Sequence, residues 1–223
     1  GTMLRVSRLA AAHGTPILGI NMGRFGFLTE VRRGDWPQAL PQLLAGQFRI
    51  ETRMMLHAEQ WRAEQRLTAW DVLNEVVICR GAAVRPVRLQ ASIDGSLLAN
   101  YMADGLIAAT PTGSTAYALA SGGPVLPPEL RNILLVPVAP HLSIDRPMVL
   151  ADSSCVTIVP QANPQKAVLS GDGLPSVELE DGDQIHISAS SLQARFIRFG
   201  DPGAFYRRLT MYMQKNPAAG EAV

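Results

Sequence analysis

From about residue 48 to about residue 199 the chain alternates apolar and polar residues with a period of two, as in Arg88-Leu89-Gln90-Ala91-Ser92-Ile93 and Gln184-Ile185-His186-Ile187-Ser188. That period belongs to strands with one buried face, and it commits most of the chain to antiparallel sheet. Asp94-Gly95, Asp172-Gly173 and Asp181-Gly182 punctuate the alternation. A type I′ turn needs positive φ at both central residues, which Asp-Gly tolerates, so each pair is predicted to close a hairpin.

The flanks have another texture. Met3, Leu4, Val6, Leu9 and Ala10 recur at helical spacing, and His13-Gly14 with Pro16 gives a stop, which predicts a helix over Thr2–Ala12. Pro16-Ile17-Leu18-Gly19-Ile20 reads as a strand buried on both faces, followed by a loop with two glycines from Asn21 to Phe27. Asp35-Trp36-Pro37 can cap a helix that runs through Leu44 to Gly46. At the other end, Phe205 to Met213 reads as an amphipathic helix that packs back on an earlier part, and Asn216 to Val223 as a disordered tail. The fold class is therefore α/β plus β. An α/β domain (1–47) precedes a β-rich domain (48–202) and a disordered tail (216–223).

Twenty basic residues against nineteen acidic leave a net charge of +1 on 223 residues, with no block of Lys or Arg. Electrostatic capture of nucleic acid or of an anionic membrane is thereby unsupported, and a small ligand fits better. The longest apolar stretch, Ile133 to Val138, is broken by Pro137 and stops before Pro140, well short of the roughly 18 residues of a membrane span. Cys79 and Cys155 each lie in an apolar, strand-like segment, as reduced thiols of a cytoplasmic protein would. His13, His57, His141 and His186 are scattered without metal-ligand spacing, so no metal-binding residue is assigned.

The chemistry concentrates between Leu73 and Tyr117. Asn74-Glu75 ends one apolar run, Asp104-Gly105 opens another, and that one leads into Thr110-Pro111-Thr112-Gly113-Ser114-Thr115-Ala116-Tyr117. Carboxylate and amide groups can take ribose hydroxyls, a Gly/Ser/Thr turn offers N–H groups and hydroxyls to phosphate, and Tyr117 offers a face to a base. Each piece also has a structural reading: Asn and Glu commonly end strands, and Ser114 or Thr115 could simply cap a helix. The turn is neither a nucleophile elbow nor a P-loop, since the second glycine of the first and the Gly-Lys of the second are missing.

In content and order, Gly1-Thr2-Met3-Leu4, the Gly19–Leu28 loop, Asn74-Glu75, Asp104-Gly105 through Tyr117 with Gly122-Gly123-Pro124, Ala139-Pro140-His141 with Arg146-Pro147, and Asp172-Gly173 resemble the NAD kinases. The resemblance implies transfer of a phosphoryl group from ATP or polyphosphate, with Mg²⁺, to the adenosine-ribose 2′-hydroxyl of NAD. It places Asn74 and Glu75 on the ribose, Thr112, Thr115, Ala116 and Tyr117 around the adenine, and Asp104 near the nicotinamide. Phe27 would line the site, Asp172 would lie near the reacting ribose, and Gly1 and Thr2 would face the donor phosphates. It also implies that 1–47 is a partial, Rossmann-like α/β domain on which 203–215 packs back, and a homodimer or homotetramer whose sites are completed across a subunit boundary.

One departure matters. The family carries a glycine-glycine-aspartate-glycine signature whose aspartate activates the 2′-hydroxyl, and only its last glycine matches, as Gly1. The chain is therefore expected to be the N-terminally truncated, acceptor-binding part of such an enzyme, without a catalytic residue of its own and inactive alone. A non-catalytic NAD(P)-binding module is the alternative reading. A lipid kinase of the same superfamily would need an apolar trough, against which the acid-amide pair argues.

Overall fold

The computed structural model describes residues 1–22, 26–81, 85–141, 144–161, 166–201 and 203–214, with side chains to residue 211 in the last helix. The middle of the first glycine loop, Leu142-Ser143 and the tail from residue 215 lie outside the described residues.

Helix α1 (Thr2–Ala11) opens the chain, β1 (Ile20–Asn21) and β2 (Val31–Arg32) pair in parallel, and α2 (Trp36–Leu44) follows. A run of strands comes next: β3 (Arg49–Arg62), β4 (Gln65–Val72), β5 (Glu75–Arg80), β6 (Val87–Ile93), β7 (Ser96–Ala103) and β8 (Gly105–Ala109). A 3₁₀ turn at Gly113–Thr115 and a single-turn helix, α3 (Tyr117–Ala120), interrupt the run. It resumes with β9 (Asn132–Val138), β10 (Met148–Ala151), β11 (Val156–Pro160), β12 (Ala167–Gly171), β13 (Val177–Glu178) and β14 (Gln184–Arg198), before helix α4 (Ala204–Gln214).

The strands form two antiparallel sheets, ordered β10-β9-β8-β5-β12-β13 and β4-β3-β14-β11-β6-β7. One buried cluster draws on both, with Ile78, Leu106 and Leu135 from the first sheet and Leu56, Leu89, Ile158 and Ile185 from the second. This is the period-two alternation of the sequence turned into a shared core. β8 is buried along its whole length because its other face, Ile107 and Ala109, packs with Ala118 of α3 and Leu134 of β9. A third cluster, including Ala11, Ile17, Leu73 and Phe196, seats α1 beside β14. Among the described residues no helix is long and apolar enough to cross a membrane.

The fold is α/β plus a β-rich body, and the C-terminal helix does return to the N-terminal part. The Phe205 ring lies 6.0 Å from that of Phe27, and Arg208 donates to the Thr29 carbonyl at 2.9 Å and to Glu30 at 2.6 Å. Three local expectations differ. The strand expected over Pro16–Ile20 is reduced to a parallel bridge from Ile17 to Phe196 and the short β1, because Ile17 meets only the end of β14. Asp35 stands at the start of α2 but makes no side-chain capping bond. Asp94-Gly95 and Asp172-Gly173 have positive φ at both residues and join paired strands, whereas at Asp181-Gly182 only the glycine does, and no hairpin closes there because β13 and β14 lie in different sheets. There it is the next residue, buried Asp183, that organises the turn, accepting bonds from Gln60, Arg62 and the Glu180 N–H.

Candidate functional site

β5 begins at Glu75 and β8 ends at Ala109, and these two residues are paired in the ladder. The segments beyond them, Leu73-Asn74 and the turn after Ala109, therefore leave the sheet side by side. Thr110 stitches them together: its N–H donates to the Asn74 carbonyl at 2.8 Å and its hydroxyl to the Leu73 carbonyl at 2.6 Å. The same hydroxyl accepts the Gly113 N–H at 3.1 Å. Gly113 lies so close that a Cβ there would overlap the Asn74 carbonyl oxygen and stand 2.6 Å from its carbon. Glycine is required here by the approach of two backbones, not by an unusual φ.

Asp172 completes the arrangement from the other side of β5. Its carboxylate accepts the N–H groups of Leu73 at 2.6 Å, Asn74 at 2.9 Å and Glu75 at 3.3 Å. A single side chain thus pins the acid-amide pair to the β12–β13 turn. Burial raises the Asp172 pKa above its usual value although the three N–H donors favour the charged form. Burial and then the neighbouring charge of Asp172 push Glu75 up to about 7. Glu75 Oε2 is buried with no hydrogen-bond partner among the described residues. A buried acceptor in that condition is suited to a donor brought by a ligand.

The turn borders a cavity of about 360 Å³. Asn74, Thr112, Thr115 and Ala116 line it on one side, Phe27 comes from the glycine loop, and Gly1 and Thr2 from the start of α1. Seven of the residues singled out in the sequence therefore surround one cavity. Glu75 and Asp172 stand behind Asn74 rather than on the lining, and exposed Tyr117 is also outside it. Asp104 is not brought to this place. It sits before β8, at the opposite end of the strand from Ala109, about 17 Å away for five residues of strand, and pairs with Arg80 at 3.1 Å.

Ser114 is not a helix cap: its hydroxyl donates to the Pro111 carbonyl at 2.7 Å and accepts the Leu126 N–H at 2.9 Å. α3 has only four residues, so the expected anion site at a helix start has little dipole behind it. The reading of the turn overlooked Arg53, which donates to the Thr112 hydroxyl at 3.1 Å from within β3. Its signal was the pair Glu51 and Arg53, opposite charges two residues apart on one face of a strand with a buried core. Among the described residues no three His, Cys, Asp or Glu side chains gather as a metal site.

Comparison with known proteins follows the same outline. Residues 73–199 match the ATP-NAD kinase C-terminal domain and residues 1–48 the ATP-NAD kinase N-terminal domain. The NAD kinase of Heliobacterium modesticaldum is 41% identical over 215 residues, which cover 96% of this chain and 76% of that protein. Yeast NADH kinase, crystallised with NADH, superposes with a TM-score of 0.83 at 27% identity and 91% coverage of this chain, which spans 59% of the yeast one. An NAD kinase from Archaeoglobus fulgidus in complex with ATP gives a TM-score of 0.72 at 27% identity, covering 87% of this chain and 72% of that one. With both family domains matched in order and a curated relative 41% identical over 96% of this chain, the chain belongs to the NAD kinase family.

Proposed function

We propose that the cavity between Asn74 and the Thr112–Ala116 turn seats the adenosine part of NAD, and that the chain serves transfer of a phosphoryl group from ATP or polyphosphate to the 2′-hydroxyl, giving NADP. The observation that carries this reading is the double lock on Asn74, by Asp172 on its N–H and by Thr110 on its carbonyl, directly beside the hydroxyl-bearing turn. Asn74 and Glu75 would hold the ribose hydroxyls, Thr112, Thr115 and Ala116 the adenine side, with Tyr117 adjacent and Phe27 as an apolar wall. Gly1 and Thr2 line the side assigned to the donor phosphates. That relatives were crystallised with NADH and with ATP supports both ligands.

Phosphoryl transfer rests on positioning and charge stabilisation, and the residues described here supply the positioning. Mg²⁺ would neutralise the donor phosphates when bound, but the described residues do not form a ligand set for it. Among the described residues that line the cavity there is no carboxylate or imidazole, and the Glu75 carboxyl behind the lining is assigned here to holding the ribose hydroxyls rather than to removing the 2′ proton. The separation of Asp104 from the cavity supports completion of the nicotinamide end by a second subunit of a homodimer or homotetramer. Two free cysteines fit a reducing, cytoplasmic setting.

Isothermal titration with NAD, run beside an NADP-formation assay with Mg²⁺ and either donor, tests the reading. The expected result is saturable NAD binding with turnover at least about 10²-fold below that of an NAD kinase with its general base in place. Full turnover would contradict the assignment of catalysis to groups outside this lining, and a folded chain that does not bind NAD would contradict the seat itself.

A further inference from the structure

Thr112 borders the cavity with its side chain largely buried, and its Oγ1 lies 3.1 Å from Nη1 of Arg53. A guanidinium offers five N–H donors and no acceptor, so the threonine oxygen must accept in this bond. Its own O–H proton has no acceptor among the described residues. We infer that Arg53 is a positioning residue for the ligand: it fixes Thr112 as a hydrogen-bond donor to the cavity, so that the ligand atom meeting it must be an acceptor, such as a ring nitrogen or a phosphate or ether oxygen. The inference rests on the reading of this cavity as the NAD seat.

Arg53 can impose a direction because it is itself held. Its Nε and Nη2 donate to Glu51 Oε1 at 2.8 and 2.6 Å, leaving Nη1 for Thr112. Burial pushes the Glu51 carboxyl up, but the charges of Arg53 and Arg198 overcome it and hold its pKa at about 2, so the anchor is an anion at any working pH. Arg198 donates to the same oxygen at 3.0 Å and pairs with Glu30 at 3.3 Å, and Arg208 of α4 pairs with Glu30 at 2.6 Å. Phe196 lies under both Arg53 and Arg198, at 6.0 and 5.2 Å. A planar fork that spans a carboxylate and a hydroxyl cannot be replaced by the single ammonium of lysine.

The test is a double-mutant cycle on NAD affinity in the 223-residue chain, with Arg53→Lys, Thr112→Val and their combination, and with thermal melts of each. Each single variant is expected to weaken NAD by about 5-fold, the worth of one hydrogen bond, and the double variant no more than either alone. Thr112→Ser, which keeps the hydroxyl, should recover most of the affinity lost in Thr112→Val. If Arg53→Lys does not fold, Glu51→Gln, which loosens the anchor without touching Thr112, gives the same cycle. Effects that multiply in the double variant, or Arg53→Lys binding like wild type while Thr112→Val weakens, would overturn the inference and leave the NAD seat standing. A purely structural role would lower melting temperatures without the non-additivity. Failure of the wild-type chain to bind NAD would remove the reading beneath it.

Discussion

Gly113→Ala is expected to cost about 3 kcal/mol of stability and to weaken NAD binding at least about tenfold. The added methyl group meets the carbonyl oxygen, carbon and Cα of Asn74, all backbone atoms that no rotamer change can move aside. Asn74 cannot retreat either, since its N–H is bound to Asp172 and its carbonyl to Thr110. Either the turn moves away and carries Thr112 and Thr115 with it, or β5 loses its pairing with β8 at Glu75 and Ala109. Gly173→Ala is the control, because a Cβ there meets open space and only its φ of +70° penalises the change; about 1 kcal/mol is expected, with NAD binding retained. Urea unfolding and NAD titration of both variants check this. Equal losses at the two positions would mean that close approach is not what Gly113 provides.

Asp172→Ala is expected to be of similar severity, about 3 kcal/mol, because it strands three N–H groups that a buried carboxylate now satisfies. The ligand site should fail with it, since Asn74 and Glu75 lose their tether. The variant also has a signature in pH. Folding raises the Glu75 pKa from 4.5 to about 7, so the folded state holds the proton more tightly than the unfolded chain. That contribution is fully present below pH 4.5 and is lost as pH rises towards and through 7, by at most about 3 kcal/mol. Glu51 does not blur the window, because its pKa of about 2 makes its contribution constant above pH 4.5 and lost only as pH falls from there towards 2. Removing the Asp172 charge removes one of the two causes of the Glu75 shift, so the decline between pH 4.5 and 7 should be shallower in Asp172→Ala. Denaturation midpoints at pH 5, 6, 7 and 8 read the slope directly, and identical slopes in the two proteins would contradict the coupling of Glu75 to Asp172.

The sheets were readable in the sequence because a strand with one buried face must alternate, and Val87–Ala91 of β6 and Gln184–Ser188 of β14 do so. Asp172-Gly173 was readable as a turn for its φ values, yet nothing local told that its carboxylate reaches back to Leu73, Asn74 and Glu75, about a hundred residues earlier. The same limit hid Arg53. A charged residue in a strand declares itself as unusual, and Glu51 two residues away is a visible partner, but Thr112 becomes a neighbour only once β3 is packed beside the turn. Asp104 is the reverse case: near Asn74 in the pattern of motifs, it is carried to the far end of β8 by the length of the strand. The Pro16–Ile20 run shows why apolar composition alone does not make a strand, since pairing needs an edge to meet.

A crystal structure of the chain grown with NAD would show whether the adenosine lies against Asn74 and the Thr112–Ala116 turn. Expected are ribose hydroxyls on Asn74 and Glu75, with the free Oε2 of Glu75 satisfied, and an acceptor atom of the nucleotide opposite the Thr112 hydroxyl. Nucleotide bound elsewhere, with this cavity empty and Glu75 still unpartnered, would contradict it.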